Sequence, residues 1–429
     1  MIKNKKGSSI VLLAMVFVTL MITITASITI ARALVVKSEC EAFGHVWTKA
    51  ILSEYDNHLF DEYRIMAYWG NDAEVRKKID SYINYSAANK LDASIGRSGS
   101  ELMGYELGDP ENFRKAIAKS FTSSVIDSAI NGSSRTKRAK KNGEYGSRVI
   151  ANKVVLDTLP SSGLGILDSI NGSFPKGNKG NYLNSLLNDA KGVGAEMVLI
   201  KKYMGNHLTK GTKDGFLMNE WEYVIHGSND DDKNFDFCKD AIFVIRNAAN
   251  LAYLYSDPAK MEIIIAIAEC VTPGGVGILT TAIIAKVWAA LEAKEDVDTL
   301  LDGGRVPFIK TAATWKTGIG GVLHDNEIVG KLNKEERELL NEGESDIRGM
   351  RGASDNSRAI MEGQTYDDYL LAIMMLIGDN TRLLRIMDII QINMKYWYYR
   401  DFNMMEYYTG VRFSISANGK SYDFEDSYK

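Results

Sequence analysis

An uncharged run of 24 residues, Ser8 to Ala31, is preceded by Lys3, Lys5 and Lys6 and followed by Arg32. As a helix rising about 1.5 Å per residue it would be roughly 36 Å long, enough to cross bilayer hydrocarbon with modest tilt. The expected anchor residues are Ile10, Val11, Leu12, Leu13, Val16, Phe17, Leu20, Ile22, Ile24, Ile28 and Ile30. The interspersed Thr19, Thr23, Thr25, Ser27 and Thr29 do not oppose insertion, because their hydroxyls can bond carbonyls of the preceding turn. The three lysines favour a cytoplasmic N-terminus, with everything beyond Val36 on the other side. Ala31-Arg32-Ala33 fits a small-x-small cleavage site, so a signal peptide is the competing expectation; the length of the run favours an anchor.

The 429-residue chain is long enough for one large domain or two ordinary ones. From residue 32 onward, 48 basic side chains face 55 acidic ones, which argues against nucleic acid as the main partner. Proline is scarce, at 6, and helix-type spacing fills long stretches between glycine-rich breaks, so a mostly helical α+β protein is expected. Cys40, Cys238 and Cys270 form no C-x-x-C; buried thiols are the expectation, and a Cys238–Cys270 pair the alternative.

Phe43, Val46, Trp47, Ala50, Ile51, Tyr55, His58, Leu59, Tyr63 and Met66 extend the helical periodicity, with Gly44 the weak point, so one helix from about Ser9 to Tyr68 is expected. The resulting organisation is a cytoplasmic segment 1–7, a transmembrane helix 8–36, a juxtamembrane shaft helix 37–70 and an extracytoplasmic α+β domain 71–429. Within that domain helices are expected at 74–90, 110–130 (capped by Asp109-Pro110), 145–159, 181–208, 234–256, 258–271, 277–293, 308–316 and 366–399. The aromatic and β-branched run FLMNEWEYVIH, 216–226, closed by Gly227, reads as a strand. Tyr407, Val411, Phe413 and Ile415 before Asn418-Gly419, with Tyr422 and Phe424 after it, read as a hairpin, and these strands would form a small antiparallel sheet. Met261 to Ala290 is apolar, but Glu262, Glu269, Lys286 and the Pro273-Gly274-Gly275 break make it a buried helical hairpin rather than a second span.

Motifs for chemistry are few. Asp230, Asp231, Asp232, Asn234 and Asp236 imitate a calcium loop, yet Phe235 stands where Gly is needed and Ala241 where a bidentate Glu is needed, so an acidic helix start is expected. The five histidines show no H-E-x-x-H or H-x-x-x-H pair, the Gly-rich pieces 273–277 and 318–322 lack phosphate-loop spacing, and there is no G-x-S-x-G. No catalytic, cofactor or metal residue is therefore assigned. Arg135, Lys137, Arg138, Lys140 and Lys141 form a basic tract able to meet an anionic cell-wall polymer, though a solvated loop is the plainer expectation. Tyr396, Trp397, Tyr398, Tyr399, Phe402, Tyr407 and Tyr408 are expected to pack in core and sheet, or to form an exposed patch.

The N-terminal KGSSIVLLAMVFVTL, the continuation LSEYDNHLFDEYRIMAY, NEWEYVIHG with IRNAANL, WAALEAKEDVDTLLDGGRVPFIK, and YDDYLLAIMMLI with MDIIQINMK together resemble a family of unknown function encoded beside Tad/Flp pilus genes of Gram-positive bacteria, with a TadE/TadG-like pseudopilin N-terminus. The resemblance implies a non-enzymatic protein of the bacterial cell membrane whose partners are the lipid bilayer and other pilus-assembly proteins. It assigns no catalytic residues. Were the chain cut after Gly7, its fifth mature residue would be Leu12, where pilins carry Glu, which points to a minor rather than a major component. Neither Asp127 to Asn131 nor Asp168 to Asn171 fits the D-x-S-x-S metal motif of a von Willebrand domain. The alternative expectation is a membrane-tethered ligand-binding module or enzyme, with Glu220 and Glu222 lining a groove.

Overall fold

The computed structural model describes residues 6–87, 95–120, 137–138, 148–150, 156–162, 164, 195–271, 277–318 and 363–428. The expectations for 88–90, 121–130, 145–147, 151–155, 181–194 and 272–276 lie outside them, and 148–150, expected to be helical, instead form a bridge in which Val149 pairs antiparallel with Asp230. The chain divides into two compact units, one built from Met1–Lys119 with Asn403–Lys429 and the other from Ser120–Phe402. Both are described below on their own terms, and the whole is a mostly helical α+β protein with a small antiparallel sheet.

The first unit starts with α1 (Lys6–Leu52), a 47-residue helix. It is shorter than the expected shaft. Asp56, extended at φ −70°, ψ 114°, accepts from Leu59 N and caps a separate helix, α2 (Asn57–Tyr63), which Arg64 ends in the left-handed region at φ 60°. β1 (Tyr68–Trp69), α3 (Asp72–Tyr82), β2 (Ile95–Glu101) and α4 (Pro110–Ser120) follow, and β3 (Tyr407–Tyr408), β4 (Gly410–Ala417) and β5 (Lys420–Ser427) complete the unit. Asp109 accepts from the amides of Glu111 and Asn112, so the Asp-Pro cap at α4 forms as expected.

The C-terminal hairpin is as the sequence implies: β4 and β5 pair antiparallel with Ala417 opposite Lys420, and Asn418 and Gly419 turn at φ 50° and 78°. The third strand is a correction. It is the polar β2, paired with β4 through Gly99 opposite Ser414 and Glu101 opposite Arg412, not residues 216–226. One face of this sheet packs on the second half of α1, where Val36, Cys40, Trp47 and Ile51, spaced at four, seven and four, are buried with Val411, Phe413, Ile415 and Phe424. Val46, on the opposite side of the helix, is 61% exposed. Gly44 is where the sheet comes closest: a Cβ there would lie 2.2 Å from the Phe424 ring.

The second unit contains α5 (Ala195–Tyr203), α6 (Glu220–His226), α7 (Asp231–Ser256), α8 (Pro258–Val271), α9 (Gly277–Leu301), α10 (Tyr366–Met374) and α11 (Asp379–Trp397). Three expectations change here. Residues 216–226 hold helix α6 rather than a strand; residues 308–316 form a single turn closed by Trp315 N on Thr311 O; and the helix expected over 366–399 is two helices parted at Gly378, which stands before α11 in extended backbone. The hairpin α8–α9 is a core element, with Ile264, Ile267 and Ala268 of one helix against Ile283, Ile284 and Val287 of the other.

Candidate functional site

Three features carry side chains whose placement asks for an explanation: the apolar half of α1, a carboxylate cluster around α6, and an ionic network around α7 and α9. In α1 every large apolar residue from Ile10 to Ile30 is between 46% and 70% exposed. Thr19, Thr23, Thr25, Ser27 and Thr29 all donate to carbonyls three or four residues back, at 2.7–2.9 Å, so their polar hydrogens are satisfied inside the helix. The surface is thus oily without polar hydrogens facing outward. Among the described residues this is the one helix long and apolar enough to cross a bilayer. Twelve of its side chains are Ile, Leu, Val or Phe; at about −0.3 to −0.6 kcal/mol each they favour insertion by about 4–7 kcal/mol. Lys3 and Lys5 lie outside the described residues, as does the side chain of Lys6.

Glu220 and Glu222, placed by the sequence at the rim of a groove, stand instead in the first turn of α6 and are buried. Asp231 at the start of α7 accepts from the amides of Met218 and Asn219, which lead into α6, while the first-turn amide of Trp221 donates to Gly205 O. Gly227 closes the helix at φ 76°, and the Arg385 guanidinium bonds the carbonyls of Val224 and Ile225. Glu220 accepts from Gly205 N and from Asn393 Nδ2 at 2.6 Å; Glu222 Oε1 accepts from His207 N at 3.1 Å and from the Tyr366 hydroxyl at 2.8 Å. Gly215 permits this closeness, since a Cβ there would meet Glu220 Oε1 at 2.0 Å.

Burial, opposed by these hydrogen bonds, pushes both carboxyls up to about 7. Glu222 Oε2 is buried with no hydrogen-bond partner among the described residues, which suits the protonated acid better than the anion. Burial also holds the Cys238 thiol well above its usual range, with the Glu222 charge adding to the effect. A third carboxyl, Asp388, accepts from the Tyr223 hydroxyl and from Ser161 N at 3.0 Å each and is raised by burial to about 6. Chemically the cluster is a set of near-neutral acids used as acceptors, fastening the 204–219 loop to α6, α10 and α11.

The second buried network balances its charges. Arg246 donates through Nε to Asp296 at 3.0 Å, through Nη1 to Phe308 O and Tyr369 Oη, and through Nη2 to Asn250 Oδ1. Lys310 bonds Glu292 and Asp296, and Glu292 also takes the amides of Lys316 and Thr317. Two cations face two carboxylates, all at 2% exposure or less. Burial opposes the Arg246 charge, but the fields of Tyr369 and Asp296 outweigh it and hold its pKa above the ordinary value.

The remaining motifs resolve simply. Asp230 caps α7 by accepting from Asp232 N, as an acidic helix start should, and no group of three or more candidate ligands forms a metal site among the described residues. Cys40 and Cys238 are buried and unpaired; nothing is described of the Cys270 side chain. Of the basic tract, Lys137 and Arg138 are described, and Arg138 is turned inward to the carbonyls of Asn206 and Met218 and to Asp214. The aromatic series divides: Phe402 and Tyr407 are buried, whereas Tyr396 is 52% and Tyr399 40% exposed.

A family model described as a family of unknown function, DUF5702, matches residues 133–419. The chain belongs to DUF5702. Both buried networks lie inside the DUF5702 match, and the apolar half of α1 lies outside it. No curated protein and no solved structure matches the chain.

Proposed function

We propose that this DUF5702 protein is a single-pass membrane protein, with Lys3, Lys5 and Lys6 on the cytoplasmic side, whose extracytoplasmic units serve without catalysis as a minor, pseudopilin-like structural or assembly component of a Tad/Flp-type pilus or related surface system. The observation that carries this reading is the exposed apolar surface of α1 from Ile10 to Ile30, with every hydroxyl described on it bonded inside the helix. The pilus connection rests on the resemblance of the N-terminal sequence to TadE/TadG-like pseudopilins, and the bilayer and other assembly proteins are its partners in this reading. The test is mass spectrometry of the mature N-terminus in the membrane fraction and in material sheared from cells, together with deletion of the gene. An intact terminus confined to membranes with loss of piliation fits an assembly role, and a chain beginning at Ser8 in the sheared fraction fits a filament component. Free protein starting near Ala33, or normal piliation after deletion, overturns the proposal.

A membrane-tethered binding module or enzyme is the second reading, favoured by the two α6 carboxyls raised to about 7. Glu222→Gln separates the two. It leaves surface assembly intact if the carboxyl is structural, and abolishes the activity of the deleted gene if the carboxyl is chemical.

A further inference from the structure

Where the loop 210–217 meets the end of α11, two cations sit on aromatic rings. The Arg148 guanidinium lies 5.9 Å from the ring centre of Phe216 and 5.7 Å from that of Tyr396, two rings that themselves meet edge to face at 5.6 Å. The Lys213 ammonium lies 4.4 Å from the Trp397 ring and 4.5 Å from the Tyr398 ring, donating to the Tyr398 hydroxyl at 3.0 Å. Trp397 Nε1 donates to Asp214 O, which joins the two pairs into one surface.

Arg148 is exposed, and its Nη1 bonds the carbonyls of Gly215 and Phe216, while its Nε and Nη2 make no hydrogen bond among the described residues. A guanidinium anchored by one nitrogen to neutral carbonyls presents the remaining edge of its fork, the geometry that takes a carboxylate through two parallel bonds. The one carboxylate beside it on the loop, Asp214, is answered by Lys210 at 2.7 Å and Arg138 at 3.4 Å. The half-exposed Tyr396 ring stands next to that fork.

We infer that this surface is a binding site for an acidic sugar chain, in which Arg148 takes a sugar carboxylate, Tyr396 stacks on the ring that bears it, and Lys213 meets the next acidic unit. Flat rings beside cations suit alternating ring and charge. A nucleic acid is the weaker fit, because its affinity grows with the number of phosphates neutralised, and this surface offers two cations in a chain with 55 acidic against 51 basic residues. The inference goes beyond the pilus reading and stands or falls separately from it.

The test is calorimetric titration of the full chain in detergent micelles with trigalacturonate, maltotriose and a short oligothymidylate. Trigalacturonate is expected to bind, with Arg148→Gln and Lys213→Gln each weakening it about tenfold and Tyr396→Ala about fivefold, and Arg148→Lys retaining part of the affinity. Because Tyr396 is exposed, its variant tests the site without disturbing the core; an unchanged melting curve checks this. Failure of trigalacturonate to bind, equal binding of maltotriose, tighter binding of the oligothymidylate, or indifference to all the substitutions would each overturn it.

Discussion

The two networks in the Ser120–Phe402 unit are equally dry and solve the same problem in opposite ways. Around Arg246, two carboxylates are matched by two cations within ion-pair distance. Around α6, Glu220, Glu222 and Asp231 gather mostly amide, hydroxyl and carboxamide donors, and the two glutamates rise to about 7, so cost is avoided by keeping protons. A counter-charge is insensitive to the medium near neutrality. A retained proton is not. The comparison shows that burial alone does not say how a carboxyl behaves; the identity of its donors does.

The sharpest way to break this contrast is Arg246→Met, which leaves Asp296 and Glu292 sharing one cation. Removing one partner of a buried pair is expected to lower unfolding free energy by about 3–5 kcal/mol, read by urea denaturation at pH 7. A loss below about 1 kcal/mol would show that the network is hydrated and the contrast unfounded.

Next is pH. Glu220 and Glu222 lie at about 7 when folded and about 4.3 when unfolded, so between these values the native state holds more protons. The stabilisation is complete below about pH 4.3 and is lost as pH rises through 7, which makes the unit less stable at pH 8 than at pH 5 by an amount on the order of 5 kcal/mol for the two groups together. The double variant Glu220→Gln, Glu222→Gln is expected to flatten this slope, leaving the smaller share due to Asp388. An unchanged slope in that variant would place the titration elsewhere.

The smallest effect distinguishes the networks most finely. Tyr366→Phe removes a donor from Glu222 and is expected to cost about 1 kcal/mol while moving the pH transition upward; Tyr369→Phe costs a similar amount beside Arg246 and moves no transition. Equal pH profiles for the two variants would erase the distinction.

Local signals in the sequence located elements whose causes are themselves local. Asn418-Gly419 set the hairpin, Asp109-Pro110 set the start of α4, and Pro258 opened α8 at the expected residue. α6 escaped because Glu220 through Ile225 are all buried, so no polar face remained to show a 3.6-residue period, and its β-branched and aromatic composition imitated a strand. β2, rich in Gly and Ser, carries almost no strand propensity and exists through its pairing with β4 more than 300 positions away. The α6 site was half legible: Glu220 and Glu222 stood out, but Tyr366 and Asn393, which define their chemistry, are 144 and 173 positions distant. Arg246, Asp296 and Lys310 resemble the charged residues of any solvated helix or loop, and only their burial distinguishes them.

The contact between Gly44 and Phe424 has a consequence for how the protein is made. The glycine emerges from the ribosome 380 positions before the ring that covers it, an interval of about 20–80 s at ordinary elongation rates. Throughout that interval Val36, Cys40, Trp47 and Ile51 have no sheet to lie against, and the whole Ser120–Phe402 unit is synthesised meanwhile. The first unit is therefore the last to close. A nascent chain stalled anywhere before β4 would present a bare apolar stripe beside the oily half of α1, which makes the β4–β5 hairpin the checkpoint between a closed unit and a substrate for chaperones and proteases.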